Sequence, residues 1–109
     1  MAETSFEKSK IYRLKNAVNY SDGAIVSKIV EKNQAGNVTL FAFDEGQNLS
    51  EHTTPFDALV QIIEGAAKII INKNDYLLSE GDFIIMPANI PHAVEAAGSF
   101  KMLLTMIKA

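Results

Sequence analysis

The sequence predicts an all-β, antiparallel sandwich or barrel contained in one domain. Three observations carry that expectation. The chain has 109 residues, which is room for a single domain. Hydrophobic residues make up 48% of it, enough for a core and too many for a disordered chain. Its apolar runs are short, rich in Ile, Val and Phe, and each is closed by turn residues, a pattern that suits strands better than helices. Close, regular spacing of strands and turns belongs to sandwiches and barrels.

In chain order, the segment Met1 to Lys15 is charged and has no apolar stretch, so it does not read as a secretory leader. Residues 1–23 are expected to pack on the barrel as a separate N-terminal segment, with Tyr12 to Tyr20 as a short helix across one barrel end. The barrel itself is expected over 24–109. Ile25, Val26, Ile29 and Val30 fall at helical spacing, yet their β-branched content favours a strand. The stretch Asn33-Gln34-Ala35-Gly36-Asn37 then turns the chain into Val38–Phe43. Further strands are expected at Leu59–Ile63, Ile69–Ile71, Tyr76–Leu78, Phe83–Met86 and Met102–Ile107. Asn72 to Asp75 reads as a tight hairpin, because Asn and Asp tolerate a left-handed backbone. Gly65 and Gly81 sit where runs end and the chain must turn. Pro87 and Pro91 bracket a loop that they stiffen. Met86, Met102, Met106 and Phe100 read as core, some of the methionines being suited to an adaptable apolar pocket.

Composition excludes several functions. Ten basic against thirteen acidic side chains give a net charge of −3, which offers no footprint for a nucleic-acid backbone. The absence of cysteine removes disulfides, thiolate metal sites and cysteine catalysis. No apolar run approaches the roughly 18 residues of a membrane span. A soluble, cytoplasmic protein is the expectation.

The two histidines, His52 and His92, lie in informative surroundings. His52 stands six residues after Gly46, in Gly46-Gln47-Asn48-Leu49-Ser50-Glu51-His52-Thr53-Thr54-Pro55. His92 ends Gly81-Asp82-Phe83-Ile84-Ile85-Met86-Pro87-Ala88-Asn89-Ile90-Pro91-His92. These segments resemble the two motifs of the cupin family of small β-barrels, and the chain is similar to its compact, single-domain members of the cupin 2 type. Gly46, His52 and Gly65 match the first motif in register; Gly81, Pro87 and His92 match the second. The resemblance implies a double-stranded jelly-roll barrel. It also implies a pocket, and in metal-binding members a centre of three histidines and a glutamate. Here the second histidine position is Thr54, the glutamate position is Ala58, the glycine after the second motif's proline is Asn89, and the final asparagine position is Ala96. Half of that ligand set remains.

The leading expectation is a stand-alone barrel that binds a small molecule, with His52, Thr54, Gln61 and His92 on the pocket wall. The alternative is a mononuclear metal-dependent enzyme of dioxygenase or isomerase type. It would use His52, His92 and a carboxylate from Asp57, or less plausibly Glu51, to hold Fe, Mn, Ni or Zn, two histidines and a carboxylate being a known iron site. Asp57 is one residue out of the ligand frame and would need a bulge or an early strand start to face inward. No order of Ser, His and Asp suggests a hydrolase triad. A third expectation is an interaction protein, and the resemblance implies a homodimer joined along barrel edges, with residues 24 to 43 as the candidate surface.

Overall fold

The computed structural model describes residues 6–108. Nine strands follow one another: β1 (Ile25–Asn33), β2 (Gly36–Phe43), β3 (Asn48–His52), β4 (Asp57–Glu64), β5 (Ala66–Ile71), β6 (Asn74–Ser79), β7 (Phe83–Met86), β8 (His92–Glu95) and β9 (Phe100–Ile107). They form a five-stranded sheet in the order β1-β2-β9-β4-β7 and a four-stranded sheet in the order β3-β8-β5-β6. Every pairing is antiparallel. The strands form two sheets with a core between them, the jelly-roll arrangement, and are not hydrogen-bonded into one closed cylinder.

Period-two alternation decides what each strand contributes to the core. Ala58, Val60 and Ile62 on β4, Ala67, Ile69 and Ile71 on β5, and Phe100 and Met102 on β9 all point inward and are buried. Phe43 and Phe100 stack with centroids 4.5 Å apart at the centre of this layer. β1 departs from simple alternation because both its faces are covered. Ile25 packs into the core between the sheets, while Val26 and Val30 pack on the opposite side against Leu40 and Ala42. A register shift between Ile29 and Glu31 accompanies this. That two-sided burial is why the segment imitates helical spacing.

What covers the outer side is the N-terminal segment. Ala17 and Val18 are buried against Leu40 and Ala42, with Ile63 and Leu103 beside them. The helix expected over Tyr12–Tyr20 is reduced to one 3-10 turn, Leu14–Asn16, without a side-chain cap. Isolated helices this short are marginal in water, and burying Ala17 and Val18 on a flat sheet needs only an extended strap. The strap crosses the outer face of the five-stranded sheet, not the barrel end. It also covers the outward side chains of Val26, Leu40 and Ala42, within the stretch proposed for dimer contacts.

One buried cation fastens the strap. Lys101, 6% exposed on the outer face of β9, donates from Nζ to the Lys15 carbonyl. Its ammonium lies 3.8 Å from a Glu64 carboxylate oxygen and 5.0 Å from the Tyr20 ring centroid. The Tyr20 hydroxyl donates to the same Glu64 oxygen at 2.6 Å. Burial, together with that carboxylate, holds the Tyr20 phenol protonated far beyond its usual range.

Two turns show local chemistry at work. The β5–β6 hairpin has left-handed residues at Asn72 (φ 50°) and Lys73 (φ 70°). This is the pattern of a two-residue primed turn, whose twist matches the strands. The second left-handed position is thus Lys73, and Asp75 lies within β6. Gly65 turns β4 into β5 at φ +77°, where an added Cβ would lie 2.6 Å from the Ser99 carbonyl oxygen.

Candidate functional site

His52 and His92 are direct cross-strand partners of β3 and β8. Partners across an antiparallel pair project to the same face, and their rings meet edge-on with centroids 4.4 Å apart. β3 is bulged between Leu49 and His52: Leu49 pairs with Val94 and His52 with His92, so three steps on β3 match two on β8. Strict alternation would send His52 outward if Leu49 faces inward. The bulge re-phases the strand, and both residues border the same cavity.

The loop before β8 is pinned from three directions. The Asn89 N–H donates to the Thr54 carbonyl at 2.7 Å, the Ala88 N–H to the Asp57 carboxylate at 2.8 Å, and the Asn72 N–H to the Pro91 carbonyl at 2.8 Å. Asn89 adopts φ 65°, the left-handed geometry that asparagine tolerates better than most residues and that suits the glycine position of the motif. These contacts fix where His92 enters the sheet.

The cavity has a volume of about 90 Å³ and lies between the sheets. Leu49, Ala58, Met86, Val94, Met102, Leu104 and Met106 make its apolar wall, and His52, Thr54 and His92 its polar points. His52 is exposed and stands at the mouth, whereas His92 is only 3% exposed. His52 Nδ1 lies 2.7 Å from the Ser50 carbonyl oxygen, and His92 Nδ1 lies 3.2 Å from that of Ile90. A carbonyl can only accept, so each neutral ring carries its proton on Nδ1 and leaves Nε2 a bare lone pair. Among the described residues no side-chain nitrogen or oxygen is both sealed and unpaired. Nε2 of His92, which makes no hydrogen bond among the described residues, therefore opens on accessible space. Burial pushes the His92 pKa below its usual value, the Ile90 carbonyl works against that, and the neighbouring His52 adds to it.

Thr54 borders the cavity, its hydroxyl donating to the Phe56 carbonyl at 2.9 Å. Two expected residues lie elsewhere. Gln61 alternates with the inward Ala58, Val60 and Ile62 and so faces outward, away from the cavity. Asp57, at the exposed start of β4, commits its carboxylate to the Ala88 N–H and so positions the loop. No bulge turns it inward: Asp57 and Ala58 pair in unbroken register with Ile107 and Met106. Glu51 is paired with Lys73 at 3.0 Å. The sequence reading missed Leu49, Val94 and Leu104 as wall residues. Alternation along β9 from Met102 through Leu104 to Met106 was the available signal.

No group of three or more His, Asp or Glu side chains able to hold a metal ion occurs among the described residues. A four-ligand centre needs donors where Thr54 and Ala58 stand, and neither an alanine methyl nor a hydroxyl already bonded to Phe56 replaces imidazole or carboxylate. The residues present do not fit the metal centre of metal-binding cupins.

The model of the cupin domain matches residues 39–108, and the chain belongs to the cupin family. A conserved protein of unknown function from Streptococcus pyogenes is 35% identical over all of this chain and 96% of its own, with a TM-score of 0.91. A cupin 2 conserved barrel domain protein from Leptotrichia buccalis is 37% identical over 89% of this chain, with a TM-score of 0.86; the match spans 47% of that longer protein. A cupin superfamily protein from Desulfitobacterium hafniense, 23% identical with full coverage of both chains and a TM-score of 0.90, shares the fold. The search of curated proteins found no match. No helix among the described residues is long and apolar enough to cross a membrane.

Proposed function

We propose that this chain is a binding protein that takes a small organic molecule, or the compact end of a larger one, into the cavity between its sheets. The observation that carries this reading is the pair of imidazoles which, with Thr54, are the polar points of a cavity whose remaining wall is apolar. A hydrophobic wall with few convergent polar groups is the usual make-up of a ligand site. The volume sets the scale: about 90 Å³ is a few times the roughly 30 Å³ share of one water, and below the roughly 300–1,000 Å³ of drug-sized pockets. Met86, Met102 and Met106 supply flexible wall that can re-pack around a guest.

The test is a fragment screen followed by methyl NMR of the methionines and imidazole NMR of the histidines. Binders should shift both sets of signals and lose affinity in His92→Ala. A screen in which nothing perturbs the cavity signals would end the reading. Elemental analysis of protein purified without chelator belongs beside it. Stoichiometric Fe, Mn, Ni or Zn that disappears in a His52→Ala, His92→Ala double variant would replace the binding reading with the metal-dependent enzyme.

A further inference from the structure

The polar points of the cavity share a property. In the neutral form His52 and His92 each spend their one ring N–H on a backbone carbonyl, which leaves only a lone pair on Nε2. Thr54 spends its hydroxyl hydrogen on the Phe56 carbonyl and likewise presents only lone pairs. The rest of the wall is hydrocarbon and thioether, which donates nothing. Charges on the surrounding strands are engaged outside the cavity. Glu51 is held by Lys73, Asp57 by the Ala88 N–H, Glu95 by Lys68 at 3.3 Å, and Lys101 by the Lys15 carbonyl. The cavity thus offers hydrogen-bond acceptors without donors and without a counter-charge.

From this we infer that the preferred guest is an uncharged molecule that donates hydrogen bonds from adjacent hydroxyls on a compact apolar body, a small vicinal diol being the simplest form. The inference rests on the binding reading above and narrows it. An anion would bring lone pairs against lone pairs. A cation would lose its hydration in an apolar cavity with no carboxylate facing it, and that penalty is large. An ether of the same size would bury oxygens that find no donor. With the two rings 4.4 Å apart between centroids, one buried and one exposed, two neighbouring hydroxyls have an acceptor ring each within reach.

Three probes of similar size separate these cases: propane-1,2-diol, lactate and 1,2-dimethoxyethane, each titrated at pH 8 with methionine methyl and imidazole NMR as the readout. The diol should give saturable shifts at Met86, Met102 and Met106 and at both rings, with lactate and the ether at least about tenfold weaker, a difference of about 1.4 kcal/mol. His52→Phe, a change at the exposed mouth, should weaken the diol by roughly 2- to 10-fold through loss of one acceptor. Lactate or the ether binding as tightly as the diol would overturn the guest class while leaving a binding cavity in place. No response to any of the three, nor to a wider fragment set, would overturn both.

Discussion

His92 is a base held neutral by its surroundings, and that has a consequence for stability. Burial lowers its pKa in the folded chain, whereas in the denatured chain it takes up a proton near the ordinary value of about 6.5. Above that pH neither state is protonated and the folded form keeps its full advantage. As pH falls from about 6.5 toward the folded-state value, the denatured chain binds the proton first and stability drops. Urea midpoints at pH 8 and pH 5.5 should show this loss, and His92→Gln should flatten the part that belongs to this ring. The two rings also differ in access, so diethyl pyrocarbonate should modify the exposed His52 well before His92, and a bound guest should slow the first reaction. Phe43 and Phe100 set the energetic scale of the core. Truncating either to Ala removes one side of a 4.5 Å stack in a fully buried layer, at a cost of about 3–5 kcal/mol read by chemical denaturation.

Among the elements, the strap depends on one side chain more than on its own helical content. Lys101→Met keeps the aliphatic stem but takes the ammonium from the Lys15 carbonyl, Glu64 and Tyr20. The expected cost is about 1–3 kcal/mol, with faster proteolytic cleavage within residues 8–20 while the strands stay protected. The β4–β5 turn is equally specific. Gly65→Ala places a methyl in a left-handed conformation and against the Ser99 carbonyl, so a loss of about 1–3 kcal/mol is expected from urea unfolding. These elements also mark what the sequence discloses. The apolar runs in β2, β4, β5, β6, β7 and β9 were legible because hydrophobic side chains recur within them between turn residues. β3 and β8 were not, since Asn48-Leu49-Ser50-Glu51-His52 and His92-Ala93-Val94-Glu95 are too short and polar to announce strands. The 3-10 strap was misjudged as a helix because its burial is decided by the sheet it covers. Of the site, the two histidines, Thr54 and the methionines were legible from motif spacing and residue type. Which way Gln61 and Asp57 face depends on alternation and on strand starts, and the bulge that turns His52 inward leaves no mark in residue identity.

At the scale of the whole molecule, a guest that binds only the folded form should raise its stability. At about 100 times its dissociation constant the gain is about 2.7 kcal/mol, visible as an upward shift in thermal midpoint that His92→Ala removes. The cavity and the strap lie on opposite faces of one strand, β9, at the middle of the five-stranded sheet. Its odd-numbered residues Lys101 and Leu103 meet the strap, and its even-numbered Met102, Leu104 and Met106 form cavity wall. Inserting a single residue early in β9 would exchange these duties at a stroke. The ammonium would swing into hydrocarbon and the thioethers out beneath Tyr20. The reading frame of this strand is therefore locked from both sides, and the strap, remote from the histidines, helps keep the β9 wall of the cavity in phase.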